Sequence, residues 1–383
     1  MNYMHVNQIF KNYIERFEII NNAKNREYYK WQIAKRFHNE MDAALKAPDS
    51  ELAGKLYELK KLTSNLIDNY TQPFLGLAKL AEKEPESVRQ MFLFLYGKNA
   101  GSINERQNRI QTFLKKSHEL QNKYYPDSYL YKNDMHSVTG YLFLYDPDNN
   151  YIFKATHALS FADCVEFYDD WGVGDTVKLS TYYRMCDELV EIIKSNKELM
   201  DTDASRFSDE WREEDPRSLY EDPEKHILAF DLIYCCSTYG LFDGITFTKI
   251  NTKERHLIQE RKMKAQLMAK NLNNARIKTK KLQEAKEFLD SIYTEETEIQ
   301  HKIYGTGVIR NVNGTQILVE FSGNMIRSLG KYISAVNDII VANKSGYKEK
   351  MDLYCDFLKK EELIKAQLIN AEREFAPYAE YFD

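Results

Sequence analysis

The sequence predicts a predominantly helical α+β protein: a helical and mixed α/β body, an antiparallel coiled-coil arm, and a small β-barrel at the arm's tip. Three observations carry this. Apolar residues recur at steps of three and four through the first ~120 positions, the period of one helix face. Two later stretches, about 253–294 and about 347–376, keep such steps over lengths suited to paired helices. Between them lie short β-branched runs split by turns, with Asn313-Gly314 as the strongest hairpin signal in the chain.

At 383 residues the chain predicts two or three domains. Hydrophobic residues at 43% and charged residues at 29% suit a globular protein with much helix. The net charge of −5 is unevenly spread. Residues 160–225 hold 19 acidic against 8 basic side chains, and residues 251–290 hold 11 basic against 5 acidic. Such asymmetry suggests two surfaces with different jobs, or two solvated faces. The five cysteines are irregularly spaced without Cys-x-x-Cys, which fits a reducing, cytoplasmic setting. The N-terminal residues lack a basic region followed by an apolar core, so no signal peptide is expected. No run of about 18 apolar residues occurs, so no membrane span is expected.

In order, Tyr3, Val6, Phe10, Tyr13, Phe17 and Ile20 define a first helix face. Helix-forming residues 27–47 follow, and Pro48-Asp49-Ser50 ends that helix and offers a cap for 51–70. Pro73 and Pro85 open two more helices, and residues 103–122 form another. The region 126–250 reads as a mixed α/β core around a central hairpin. Residues 141–145 and 151–154 are short aromatic runs separated by turn formers at 146–150. The alternative is a helix ending near Tyr145 with one strand after it. Residues 160–168 look helical, with Ser160 as cap. Trp171-Gly-Val-Gly is a turn, and 181–194 a helix. Residues 201–224 read as an acidic surface excursion, 226–239 as a buried helix, and 240–250 as a turn and short strand.

The long helix at 253–294 places Met268, Leu272, Ala275, Thr279, Leu282, Lys286 and Leu289 at heptad steps. The return helix carries Met351, Tyr354, Leu358, Ile364, Leu368, Ala371 and Phe375. The pair is expected to run antiparallel, and the same seam could join two chains as a homodimer. Four or five strands within 296–342 make a barrel of SH3-like type.

Two stretches carry resemblances. His301-Lys-Ile-Tyr304-Gly305-Thr306-Gly307-Val308-Ile309, Ile317-Leu-Val-Glu-Phe321 and Ile326-Arg-Ser-Leu329 are similar to the SH3/Tudor-like module that ends UvrD/PcrA-type helicases. The resemblance covers about 45 residues and implies contact with nucleic acid or with the transcription machinery, without a motor. Residues 86–167 resemble the region ahead of the AAA+ motor in McrBC-type restriction proteins. That likeness rests on Val88-Arg-Gln-Met-Phe, Arg109-Ile-Gln-Thr-Phe113, Asp146-Pro147 and Tyr151-Ile-Phe-Lys154. The sequence has no Gly-x-x-x-x-Gly-Lys-Ser/Thr, so the family's nucleotide chemistry does not carry over.

Direct chemical signals are sparse. Eight histidines are scattered without metal-ligand spacing, so no metal and no cofactor is expected. Glu58-Leu-Lys60 matches half of a nuclease core but sits in a helical pattern. Asp163, Glu166, Asp169 and Asp170 could hold a divalent cation in a metal-dependent nuclease, or cap a solvated helix end. The leading expectation is a non-enzymatic binding protein for DNA, RNA or a nucleic-acid-bound protein. Its contacts would be Arg255, Arg261, Lys262, Lys264, Lys270, Arg276, Lys278, Lys280 and Lys281 on the long helix, with Lys253 beside them. The barrel would add His301, Lys302, Tyr304, Arg310 and Arg327. The competing expectation is a scaffold that binds only proteins.

Overall fold

The computed structural model describes residues 1–22, 24–63, 65–67, 71–208 and 218–382. The chain divides into two compact units, Met1–His256 and Leu257–Asp383. The described residues are 65% helical, with one small antiparallel sheet among them. No helix among the described residues is long and apolar enough to cross a membrane.

The first unit is helical. Its elements are α1 (Tyr3–Ile20), α2 (Tyr29–Lys46), α3 (Asp49–Thr63), α4 (Pro73–Ala81), α5 (Pro85–Tyr96), α6 (Ile103–Tyr124), α7 (Met135–Tyr145), α8 (Ala155–Cys164), α9 (Leu179–Ser195), α10 (Lys197–Ala204) and α11 (His226–Thr238). Helix α12 (Thr252–Ile292) begins within it. One continuous core joins residues on both sides of position 125, from Val6 and Trp31 to Tyr141, Tyr182 and Leu232. Helix starts follow the capping chemistry. Asn2 Oδ1 accepts from the N–H groups of Met4 and His5, and Ser102 and Glu105 form a reciprocal capping box on α6.

The expected central hairpin is absent, and with it the mixed α/β core. Residues 135–145 are the helix α7, opened by a capping box in which Asp134 and Ser137 bond each other's backbone N–H. The aromatic run lacks helical periodicity because nearly every face of α7 is buried. Gly140 permits this: a Cβ there would lie 3.2 Å from both Ile67 Cδ1 and Ile152 Cδ1. Residues 151–154 are extended without a partner strand. Side chains satisfy their backbone instead: Tyr183 Oη accepts from Tyr151 N at 3.1 Å, Thr139 Oγ1 accepts from Phe153 N at 3.0 Å, and Tyr182 Oη donates to Ile152 O at 2.8 Å.

Other expectations shift with packing. Ser160 lies inside α8, whose cap position is Lys154. Residues 245–250 form no strand, since no neighbouring strand offers a ladder. The stretch 201–224 is no simple surface excursion. Residues 209–217 lie outside the described set, but Asp203, Arg206, Leu219 and Asp222 are all buried.

Those charges belong to a buried network. Lys30 Nζ donates to Glu27 at 2.6 Å and to Asp231. Tyr13 Oη donates to Asp231 at 2.5 Å, and Arg206 pairs with Asp203 at 3.0 Å and bonds Asn21 at 2.6 Å. The Arg206 guanidinium lies 4.0 Å from the Trp31 ring centroid. Burial opposes the charge on Lys30, yet Asp231 and its neighbours hold its pKa above the ordinary value.

The second unit carries β1 (Glu298–His301), β2 (Gly305–Asn313), β3 (Gln316–Phe321), β4 (Met325–Gly330), α13 (Lys331–Val336), β5 (Ile340–Ala342), α14 (Tyr347–Lys359) and α15 (Glu361–Phe375). The strands form an open antiparallel sheet in the order β4-β3-β2-β1-β5. Gly314, at φ +58°, closes the β2–β3 turn. Along α12 the buried or half-buried positions include Ala265, Met268, Leu272, Ala275, Thr279, Leu282, Lys286 and Leu289 at steps of three and four, and towards the sheet the buried face widens to take in Ala285, Phe288 and Ile292. Leu272 and Ala275 pack with Ala371, Leu368 and Phe375 of α15, and Leu289 packs with the inner face of the sheet. The return stretch is two helices, broken at Lys360 (φ −102°, ψ 18°), where a single one was expected.

Candidate nucleic-acid interface

Strand β1 ends at His301, and Gly305, at φ +74°, turns the chain into β2. This tight turn lifts Ile303 and Tyr304 out of the sheet. Gly307 keeps the crossing close, since a Cβ there would meet the Phe321 ring at 2.5 Å. His301 is buried beneath the turn, and its Nδ1 accepts the N–H groups of Ile303 and Tyr304, both at 3.1 Å. Its proton therefore sits on Nε2, and burial lowers its pKa. The imidazole is thus an uncharged support for the turn.

Tyr304 stacks on His301 with centroids 4.6 Å apart and leans on Phe321 at 5.4 Å. The ring stays 37% exposed. The Arg327 guanidinium, from strand β4 on the far side of β3, stands 5.7 Å from its centroid, a cation–π contact of about 0.5–1 kcal/mol at an exposed site. Lys302 is exposed beside it. Tyr304, Arg327, His301 and Lys302 are the expected residues that the fold brings together. Arg310 stands apart, held by Glu296 at 2.9 Å and Glu320 at 2.6 Å.

The long helix divides its cations. Arg255 is no surface contact: it is 3% exposed, pairs with Asp163, and donates to Phe167 O at 3.0 Å. A guanidinium in that position is consumed by the protein's own carboxylate and carbonyl groups. Arg261 donates to Tyr381 Oη at 2.6 Å, and Lys278 donates to Gln367 at 3.1 Å across to α15. Lys262 is half-buried. Lys253, Lys264, Lys270, Arg276, Lys280 and Lys281 are exposed. Relative to the buried seam, Lys270, Lys280 and Lys281 fall on the outward face and Lys264 and Arg276 on its flanks.

The four clustered acids do not converge. Asp163 pairs with Arg255, Asp169 with Arg184, Asp170 accepts from Gly172 N at 2.9 Å, and Glu166 accepts from Asn2 Nδ2 at 3.1 Å. No group of three metal-ligating side chains meets among the described residues.

Sequence reasoning missed the apolar rim of the platform. Ile303 is 79% exposed, and Ile326 and Met325 lie exposed on the edge strand β4. The signal was the alternation in β3–β4: Ile317, Val319 and Phe321 are buried, while the register pairs Phe321 with Met325 at the rim. No family model, curated protein or solved structure matches the chain.

Proposed function

We propose that this chain is a non-enzymatic nucleic-acid-associated binding protein whose contact surface lies in the unit of residues 257–382. The observation that carries the reading is the Tyr304 platform: a half-exposed ring supported from below, with Arg327 and Lys302 at its margin. A base stacks on such a ring regardless of its identity, and guanidinium and ammonium groups take the backbone phosphate. The exposed lysines of α12 would add sequence-independent phosphate contacts. Five short antiparallel strands with one buried face support an SH3-like module, and the packing of Leu272 and Ala275 against Leu368, Ala371 and Phe375 supports a coiled-coil arm of α12 with α15. The McrBC-type and UvrD-type resemblances favour a genome-maintenance or defence accessory in the cytoplasm.

A gel shift with salt titration on the full chain tests this. Binding should weaken steeply with salt, and Tyr304→Ala should weaken single-strand binding by about 1–3 kcal/mol without lowering the melting temperature. No binding to any duplex or single strand at low salt sinks the direct-contact reading. A second reading, a protein scaffold, is favoured by the exposed apolar edge strand β4, which offers unpaired backbone to an added strand. Recovery of a stoichiometric protein partner after nuclease treatment, lost when Ile326 becomes Lys, would support it.

A further inference from the structure

A cleft of about 500 Å³ opens where one face of α2 meets the C-terminal ends of α5 and α7. We propose that this cleft binds a small phosphorylated ligand bearing a planar ring, of mononucleotide size. The volume lies within the range of pre-formed ligand sites. The proposal is independent of the Tyr304 platform and concerns residues 1–256 alone.

The ring end is built from a stack. Tyr145 lies parallel to Tyr96, with centroids 3.7 Å apart and an 8° tilt between planes. His38 stacks on Tyr145 at 4.2 Å, and Tyr96 continues onto Phe92 at 5.9 Å. Two rings cannot share one face of Tyr145, so His38 is the open end of the column, and it is exposed. His38 Nδ1 donates to Tyr145 O at 2.7 Å, since a carbonyl only accepts. The imidazole is thereby fixed in orientation, with Nε2 turned from that bond and its outer face presented to a further ring.

The phosphate end is built from amides and lysines. Lys35, His38 and Asn39 occupy one face of α2 by their i, i+3, i+4 spacing. Opposite runs the loop from Gly97 to Ala100. Arg109 Nη1 donates to the carbonyls of Tyr96 (3.2 Å), Asn99 (2.8 Å) and Ala100 (3.2 Å). Two of the loop's carbonyls, Asn99 O and Ala100 O, are thus engaged, whereas the N–H groups of Lys98, Asn99 and Ala100 have no acceptor among the described residues. Lys35 and Lys98 have no ion-pair partner there either. Free backbone N–H groups beside unpaired ammonium groups suit a phosphate oxygen.

Two features of the lining itself oppose an anion. Asp146 lines the cleft, but its two carboxylate oxygens accept from Asn149 Nδ2 at 3.0 and 3.1 Å. The C-terminal ends of α5 and α7 carry negative dipole ends, yet their last carbonyls, Tyr96 O and Tyr145 O, already take Arg109 and His38. Asp148, beside the lining Tyr220, is a second acid near the cleft, so Lys35 and Lys98 match two carboxylates and the free N–H groups of the loop supply the remaining attraction.

Calorimetric titration of the full chain tests the site, with adenosine, guanosine, cytidine and uridine 5′-monophosphates as probes. At least one should bind with 1:1 stoichiometry, more tightly than inorganic phosphate or its own nucleoside. Lys35→Gln with Lys98→Gln should weaken it by roughly tenfold or more, the loss of charged hydrogen bonds. His38→Ala should weaken the nucleotide and leave inorganic phosphate unchanged. Tyr304→Ala should leave the nucleotide affinity unchanged, which separates this site from the platform. A 5′-phosphorylated oligonucleotide that binds as tightly, and loses affinity in the Lys35/Lys98 variant, assigns the ligand to a strand end; weaker binding assigns it to the free nucleotide. Failure of all four nucleotides to bind at millimolar concentration overturns the proposal. So does equal binding by the Lys35/Lys98 variant, whose exposed positions leave folding intact.

Discussion

Cations that look alike in sequence can be placed in opposite ways, and two sets, one in each unit, show it. In residues 1–256, Lys30, Arg206 and Arg255 are buried and consumed by the protein's own carboxylates. In residues 257–382, Lys270, Lys280 and Lys281 stand exposed on the outer face of a helix, and Arg327 stands over an exposed ring. The first set is bound to the fold, whereas the second is exposed to solvent. What separates them is the placement of acids. Asp231, Asp203 and Asp163 are buried with the first set. A buried cation without such a partner would be driven to lose its charge or to unfold its surroundings.

Removing the acid at the centre of the network should have the largest effect. Asp231→Ala leaves Lys30 and Arg206 short of their counter-charge, and the cost should be about 3–5 kcal/mol of stability. Chemical denaturation reads it. A loss no larger than that of a surface variant would break the contrast between the units.

Asp222 sharpens the same contrast through pH. Burial raises its carboxyl pKa to about 7, against the backbone N–H bonds from Leu228 and Ile227 that favour the charged form. The unfolded carboxyl ionises near ~3.9. The folded state therefore holds a proton that the unfolded state releases over that interval. Its contribution is fully present below the unfolded pKa and is lost as pH rises through about 7. Asp222→Asn should flatten this fall, measured as the difference in denaturation midpoint between pH 5 and pH 8. An unchanged slope would remove Asp222 from the network's electrostatics.

The most direct comparison is within one helix. Arg255→Ala should destabilise residues 1–256 by about 2–3 kcal/mol, because Asp163 is left buried without its partner. Lys270→Gln, on the same α12, should leave the melting temperature unchanged. It should lower the salt dependence of nucleic-acid binding by about one unit of slope. If both variants behave alike, the division of the helix into a structural start and a contact surface fails.

Much of the fold was legible because local chemistry settled it. Pro73 and Pro85 at helix starts, the heptad run from Met268 to Leu289, and Asn313-Gly314 between β2 and β3 act within a few residues of themselves. The aromatic run at 141–145 misled because its helix is buried nearly all round, which erases the periodicity that marks one exposed face. Of the candidate contacts, Tyr304 and Arg327 were legible as residue types, but their meeting depends on the register that sets β4 beside β3.

By itself the sequence determined that the chain is mostly helical, that Pro73 and Pro85 open helices, where the sheet lies, and that residues 251–290 are rich in basic side chains. Only the tertiary structure decided which charges are buried. It pairs Arg255 with Asp163 across 92 positions and Lys30 with Asp231 across 201. It also gathers His38, Tyr96 and Tyr145 from three helices into one column of rings. The physical reason is range. A cap or a turn is satisfied by its chain neighbours, whereas the state of a charge depends on the water it loses and the partner it meets, and both are set by packing.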